Sequence, residues 1–186
     1  FARIVNNTIV GGSVAVNEAA DPQIYAGINF KLGQQSFVDG VVSYNPLQSG
    51  GPAPIAGLQV STEVLGAPNY VLNSEPLAGQ GALSLGHGGQ LIVRFNDNYL
   101  RSSGDSRPDL YISEVGDAEL AFVAVSSDGL TYRNVGKIGG SVRTIDLDAF
   151  GIKPNEQITF VRLIDDVAQG AATGDSVGAD IDAIGA

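Results

Sequence analysis

Hydrophobic residues in this chain alternate with polar ones, or run in groups of four or five, between clusters of Gly, Pro, Asn and Asp. Alternation with a period of two predicts strands, and almost no stretch repeats with the period of a helix. A series of short strands without intervening helices predicts an all-β protein, a β-sandwich of the jelly-roll type. The predicted strands cover residues 3–16 (in one piece or two), 24–32, 37–44, 58–64, 81–85, 90–95, 110–115, 120–126, 131–138, 142–147, 157–164 and 179–185.

Two short sequences predict hairpins between these strands. In VSSDGLTYRNVG, the tight-turn dipeptide Asp128-Gly129 lies between two alternating runs. In LGHGGQL, the glycines can adopt the positive φ that a tight turn requires. Residues 45–57 and 165–178 are predicted to be long loops, and a loop of the second kind in a compact domain is usually functional or mobile.

The composition restricts the classes of partner. A net charge of −10 disfavours nucleic acid, which requires basic patches, and anionic membrane surfaces, and it favours divalent cations. No stretch approaches the length of apolar residues that crosses a membrane, and the absence of Cys excludes disulfides and Cys-based zinc sites. Because the chain has no Met and no recognisable leader, we expect one domain, residues 1–186, excised from a larger extracellular protein of a bacterial surface.

The segment 95–117, FNDNYLRSSGDSRPDLYISEVGD, concentrates carboxylates and asparagines between two predicted strands. Ca²⁺ takes about six to eight oxygen ligands in irregular geometry, whereas Mg²⁺ requires an octahedron and Zn²⁺ prefers His or Cys. The segment therefore predicts a loop that holds one or more Ca²⁺ ions. The alternative is a solvated acidic loop balanced by Arg101 and Arg107. The candidate donors are Asp97, Asn98, Asp105, Asp109, Glu114 and Asp117.

An Asp-x-Asp pattern occurs twice, in IDLDAFG (145–151) and in DIDAIGA (180–186). On a strand the two aspartates of each pair would lie on one face, and adjacent buried carboxylates are costly unless a cation lies between them. Small and apolar residues flank Asp180 and Asp182, so this pair is predicted to be buried and to bind a cation. The pair Asp146 and Asp148 is predicted to be exposed, with water between the carboxylates.

The sequence GDSVG (174–178) fits the G-x-S-x-G pattern of serine hydrolases, but the rest of the chain does not support an enzyme. The only histidine, His87, lies in a glycine turn, and none follows Ser176 as the α/β-hydrolase order requires. A trypsin-like chain would need further strands after this serine. A pair of carboxylates suited to a glycosidase always exists among 20 acidic residues and carries no information.

Several segments, in order, resemble a family of bacterial extracellular β-sandwich domains. They are EVLGAPNY, ALSLGHGGQLIVRFNDN, PDLYISEVGDAELAFVAVSSDGLTYRNVG, IDLDAFG, ITFVRLIDD and GADIDAIGA, and they span roughly residues 37–186. The family occurs in cell-surface proteins and in giant repeats-in-toxin (RTX) adhesins, and the chain is most similar to their peptide-binding domain. The resemblance implies calcium-dependent cell adhesion, in which the free C-terminal carboxylate of a protein ligand lies at a bound Ca²⁺.

The resemblance also implies roles for particular residues. Tyr99, Arg101 and Arg107 are predicted to contact the ligand beside the ion, and Glu114 is either a ligand or structural. Ser113 stands where the family often has an aromatic residue, which predicts altered packing or a pocket at this position. The predicted calcium ligands are Asp97, Asn98, Asp105 and Asp109 in the acidic loop and Asp180 and Asp182 in the closing strand.

Three hypotheses remain open from the sequence, and all of them include calcium. The first is an adhesin module that binds a peptide or protein C-terminus on a host or neighbouring cell. The second is a calcium-dependent lectin, in which sugar hydroxyls take the open positions on the ion. The third is a structural surface domain in which calcium only stiffens the loops.

Overall fold

The structure is a computed structural model, and it describes residues 3–5, 8–10, 23–25, 28–71 and 81–186. The strands of this part of the chain all pair in antiparallel fashion. Two separate hairpins come first in the chain, β1 (Arg3–Val5) with β2 (Thr8–Val10) and β3 (Gln23–Tyr25) with β4 (Ile28–Phe30).

The remaining strands form two antiparallel sheets. The five-stranded sheet has the order β10 (Arg133–Ile138), β9 (Ala121–Ser126), β12 (Phe160–Asp165), β7 (Gln90–Arg94) and β5 (Gly40–Asn45). The four-stranded sheet has the order β11 (Thr144–Ile145), β8 (Leu110–Val115), β13 (Asp180–Gly185) and β6 (Leu83–Ser84). From β5 onward the chain alternates between the sheets, except at the β9–β10 hairpin.

A hydrophobic core joins the two sheets and confirms the predicted all-β sandwich. Leu91 and Leu163 of the five-stranded sheet pack in one cluster with Ile112 and Ile181 of the four-stranded sheet, and all are fully buried. The alternation that predicted the strands is visible in β12, where every second side chain is buried. Burying one such side chain contributes about 1.5–3 kcal/mol, so the core is the main source of stability.

The outer face of the four-stranded sheet is covered at one end by an aromatic cluster. Phe30 of β4 and Phe37 lie with their ring centroids 4.7 Å apart, and Phe30 packs against Tyr111 of β8 at 5.5 Å. The rings approach the backbone of β13 so closely that a Cβ on Gly185 would lie 2.8 Å from an atom of Phe37. Because Gly185 has no side chain, the rings of Phe37 and Phe30 can pack directly on the backbone of β13.

Most predicted strands are confirmed within a few residues, but two predictions are wrong. Residues 24–32, predicted as one strand, contain parts of two paired strands, β3 and β4. Residues 58–64 form no strand. This segment forms 3-10 helices, Ala56–Leu58 and Ser61–Val64, because its hydrogen bonds are local. The predicted alternation also fails there, since Leu58 and Val64 are buried while Val60 is 43% exposed. Residues 11–16 of the first predicted strand lie outside the described residues.

Of the two predicted hairpins, one is confirmed and one is wrong. The β9–β10 hairpin forms, and Gly129 at its turn has a φ of 73°. The LGHGGQL segment does turn, with positive φ at Gly86 and Gly88, but it connects β6 and β7, which belong to different sheets. In the described part of the chain the helices are single 3-10 turns, and none could cross a membrane.

Candidate metal centre

Three carboxylates converge where β8 begins and β11 ends. The antiparallel register pairs Leu110 with Ile145, so Asp109 lies across from Asp146. Ligand atoms of Asp109, Asp146 and Asp148 lie within 4.8 Å of one another, and the three residues are partly exposed. Among the described residues, no other group of three His, Cys, Asp or Glu side chains meets this spacing. We call these three residues the carboxylate cluster.

Main-chain N–H groups hold the carboxylate cluster in place. The Asp109 carboxylate accepts hydrogen bonds from the N–H of Ser103 at 2.7 Å and of Leu147 at 2.8 Å. The Asp148 carboxylate accepts one from the N–H of Gly104 at 2.9 Å, and Asp146 accepts one from the N–H of Asp148. The loop at 103–104 is therefore fastened to the end of β11 through the carboxylates of the cluster, and an oxygen that accepts one hydrogen bond retains a further lone pair.

The electrostatics of the carboxylate cluster suit a hard divalent cation. Burial raises the pKa of Asp109, and the charge of Asp148 raises it further, although the N–H groups of Leu147 and Ser103 act in the opposite direction. Within the described residues, no Lys or Arg forms an ion pair with the three carboxylates. Oxygen-only donors that form no ion pair fit Ca²⁺, whereas Zn²⁺ prefers nitrogen or sulfur.

Only one of the six predicted ligands, Asp109, belongs to the carboxylate cluster. Burial of the Asp97 carboxyl group raises its pKa, and the charge of the neighbouring Asp39 raises it further. The side-chain oxygen of Asn98 is buried and has no hydrogen-bond partner in the described part of the chain. Asp105 is exposed and pairs with Arg107 at 2.9 Å, while the hydroxyl of Ser103 connects it to the edge of the cluster at 3.3 Å.

Asp182 is buried, as predicted, but its oxygens are already engaged by the protein. One oxygen accepts hydrogen bonds from the N–H groups of Asn69 at 2.9 Å and Tyr70 at 3.1 Å, and the other accepts one from the hydroxyl of Ser113 at 3.0 Å. Burial raises the pKa of Asp182, and these donors partly offset the effect. The carboxylate thus fastens residues 69–70 to β13, and its predicted role as a calcium ligand stays a prediction.

Asp180 lies beside a second concentration of acidic residues. Its carboxylate accepts hydrogen bonds from the hydroxyls of Ser84 and Ser176, the latter at 2.6 and 2.8 Å. It lines a cavity of about 450 Å³ together with Asp117 and Glu119. Burial raises the pKa of Asp180 and raises the pKa of Glu119 to about 7. The hydroxyl of Ser176, the serine of the G-x-S-x-G pattern, thus donates to the carboxylate of Asp180.

Of the three residues predicted to contact a ligand, Tyr99 and Arg101 pair with each other and Arg107 pairs with Asp105. The guanidinium of Arg101 lies 4.3 Å from the ring centroid of Tyr99, a cation–π contact on the exposed loop. Arg107 is bound to Asp105 and is mostly exposed. Both pairs lie on the loop that bounds the carboxylate cluster, because Ser102 of this loop donates its hydroxyl to Asp148 at 3.2 Å.

Asp146 and Asp148 were predicted to lie on a solvated face, but in the structure they lie with Asp109. A signal was present in the order of the residues: Asp109 comes just before one strand and Asp146 just after another. If the two strands pair in antiparallel fashion, these residues meet at one end of the sheet. The alternation pattern gave the strands but not their partners.

No protein-family model matches this chain, and no curated protein matches it. The site is therefore interpreted from its own geometry.

Asp182→Ala distinguishes a structural carboxylate from a calcium ligand. Because the change leaves the N–H groups of Asn69 and Tyr70 without their acceptor, we expect a loss of about 1–3 kcal/mol in the free energy of unfolding. The loss should be equal with Ca²⁺ and with a chelator, as measured by urea denaturation. A loss confined to the calcium-loaded protein would instead make Asp182 a ligand.

The raised pKa of Glu119 predicts a pH dependence of stability in the presence of a chelator. The pKa of the Glu119 carboxyl group is about 7 in the folded state against an ordinary 4.5. Such a group contributes fully to the stability of the fold at pH values below 4.5. That contribution is lost as the pH rises through 7, so the melting temperature should fall over this range. Glu119→Gln should flatten the profile between pH 5 and 8. Glu156→Gln is the control, since an ion pair with Arg133 lowers the pKa of Glu156, and it should not flatten the profile.

Proposed function

We propose that this chain is a calcium-dependent binding module of a bacterial extracellular adhesin, which holds the free C-terminal carboxylate of a protein ligand at a bound Ca²⁺. The observation that supports this proposal is the carboxylate cluster, in which three acidic side chains converge and none forms an ion pair with Lys or Arg among the described residues. Three carboxylates this close repel one another, and a divalent cation between them would make the net electrostatic interaction favourable.

The number of protein ligands at the carboxylate cluster leaves room for a bound molecule. Asp109, Asp146 and Asp148 supply fewer oxygens than the roughly six to eight that Ca²⁺ takes, even if one binds through both oxygens. Partial exposure of all three residues gives solvent and ligands access to the remaining positions. A carboxylate from outside would gain from the charge of the ion despite the net charge of −10.

The loop beside the carboxylate cluster offers contacts for the rest of a peptide. Tyr99 is 43% exposed and carries the guanidinium of Arg101 over its ring. The stack lies on the loop whose Ser102 hydroxyl and Gly104 N–H are bound by Asp148. In this proposal an ion at the cluster fixes the loop, and the stack contacts the side chains of the ligand. The exposed pair of Arg107 and Asp105 borders the same loop.

Asp180 is the candidate ligand for a second ion. Together with Asp117, Glu119 and Ser176 it surrounds the 450 Å³ cavity with oxygen donors. The raised pKa of Asp180 shows that its charge is poorly compensated, mainly because the carboxyl group is buried. This position agrees with the sequence prediction that the closing strand binds calcium, and it is independent of the carboxylate cluster.

Ca²⁺ should stabilise the protein through the carboxylate cluster. Because binding to the folded state alone stabilises by mass action, Ca²⁺ at about 100 times its Kd should add about 2.7 kcal/mol relative to a chelator. Asp146→Asn keeps the hydrogen bond to the N–H of Asp148 but removes a charge, so it should abolish most of this gain in a thermal melt. Asp105→Asn is the matched control, since Asp105 lies outside the cluster and should retain the gain. Equal calcium responses in both variants would contradict the assignment.

Ligand binding is tested with a peptide library whose members carry a free or an amidated C-terminus. Because the carboxylate is the group that meets the ion, we expect binding of selected free-acid peptides to fall at least about tenfold on amidation, and to disappear with a chelator. Fluorescence anisotropy measures both effects. Calcium stabilisation without any saturable peptide binding would identify a structural domain, and calcium-dependent binding to a glycan array would identify a lectin.

A further inference from the structure

A cavity of about 370 Å³ opens on the outer face of the four-stranded sheet, beside the aromatic cluster. This volume falls in the range of small-molecule sites in proteins. The cavity is separate from the carboxylate cluster, with which it shares no residue. The side chains that matter for its chemistry are Tyr25, Tyr70, Tyr111, Ser113, Arg143 and Asp182.

Among the described residues, Arg143 is the only cationic one that lines this cavity. Within the part of the chain that the structure describes, its guanidinium forms no ion pair. Its main chain is fixed, because its carbonyl accepts a hydrogen bond from the N–H of Ile112 at 2.9 Å. The charge of Arg143 lowers the pKa values of Glu114 and Asp182 somewhat, which places it within electrostatic reach of both without a direct contact.

The one carboxylate on the wall of the cavity has its own partners. Both oxygens of Asp182 accept hydrogen bonds from within the protein, from the N–H groups of Asn69 and Tyr70 and from the hydroxyl of Ser113. These donors offset the charge of Asp182, whereas the guanidinium of Arg143 forms no ion pair with a carboxylate of the described residues. The cavity is therefore better suited to an anion than to a metal ion or an amine.

The walls determine what kind of body the anion would carry. Three tyrosine rings, Pro68 and Val115 surround the cavity. The hydroxyl of Tyr25 is already bound to Gln23 at 2.8 Å, and the hydroxyl of Ser113 is bound to Asp182. A sugar would find these two hydroxyls already donating within the protein, while an apolar or aromatic group would gain from contact with the rings.

We propose that the cavity beside Arg143 binds a carboxylate attached to an apolar or aromatic body, with the guanidinium paired to the carboxylate and the tyrosine rings against the body. A guanidinium presents two parallel N–H donors that match the two oxygens of a carboxylate. This site goes beyond the proposed function, because it involves neither the carboxylate cluster nor a calcium ion.

The test uses N-acetyl-phenylalanine and its amide, titrated in the presence of a chelator and followed by ligand-observed NMR. The acid should bind the wild-type protein at least about tenfold more tightly than the amide, since hydrogen bonds to charged groups are the stronger ones. Arg143→Gln should remove this preference, and Arg143→Lys, which keeps the charge without the fork, should retain part of it. The chelator makes the result independent of the calcium proposal.

Arg94→Gln is the matched control, because Arg94 is exposed on the five-stranded sheet and does not line the cavity; it should keep the full preference. Melting temperatures of all variants verify that they are folded. Absence of binding at millimolar acid, equal binding of acid and amide, or a preference that survives Arg143→Gln in the folded protein would overturn the proposal. Tighter binding of glucuronate than of N-acetyl-phenylalanine would contradict the proposal that the bound carboxylate is attached to an apolar or aromatic group.

Discussion

Buried carboxylates that accept main-chain N–H groups are the interaction on which the loops of this sandwich depend. Asp165, only 2% exposed at the end of β12, accepts hydrogen bonds from the N–H groups of Gly88 and Ala179, both at 2.9 Å. It thereby holds the turn before β7 and the end of the long loop before β13. Hydrogen bonds to a charged acceptor contribute about 1.5–3 kcal/mol each, but a buried charge without a counter-ion is costly. The loops are held in place by groups that remain electrostatically unbalanced.

The same arrangement recurs around the four-stranded sheet. Glu114 accepts the N–H groups of Glu119 and Gly140, and Glu119 accepts that of Ala171 in the long loop. The dipoles of N–H groups can stabilise one buried carboxylate. They carry no net charge, however, and cannot neutralise several carboxylates that lie together. At the carboxylate cluster this limit is reached, because three acidic groups share a space of less than 5 Å. A divalent cation is the simplest group that completes such an arrangement.

The sequence predicted most of the strands and one member of the carboxylate cluster, Asp109, whereas the pairing that brings Asp146 and Asp148 beside it is visible only in the structure. Period-two alternation was sufficient for a strand such as β12, in which every second side chain is buried. It was insufficient for residues 58–64, where the buried positions, Leu58 and Val64, are compatible with a local 3-10 conformation. It was also insufficient at LGHGGQL, because a turn dictates a change of direction and not the sheet that the next strand joins.

The two Asp-x-Asp pairs show why pairing could not be read from spacing. Strict alternation would give Asp180 and Asp182 a common environment, but β13 has a bulge between Ile181 and Ala183, and bulges redirect side chains. As a result Asp180 binds Ser84 and Ser176, whereas Asp182 binds residues 69–70 and Ser113. Asp146 and Asp148 instead follow β11 directly, and a 3-10 helix begins at Asp148. The chain bends there, so this pair converges on Asp109.

The position of the carboxylate cluster also couples ion binding to the shape of the neighbouring surface. Asp109 and Asp148 bind the N–H groups of Ser103 and Gly104, so the orientation of the carboxylates and the path of the loop are determined together. The same loop carries Tyr99 and Arg101. An ion that draws the carboxylates together would necessarily constrain the loop, and with it the stacked pair. Binding of calcium and presentation of a recognition surface would then be one event, because both depend on the same few oxygen atoms.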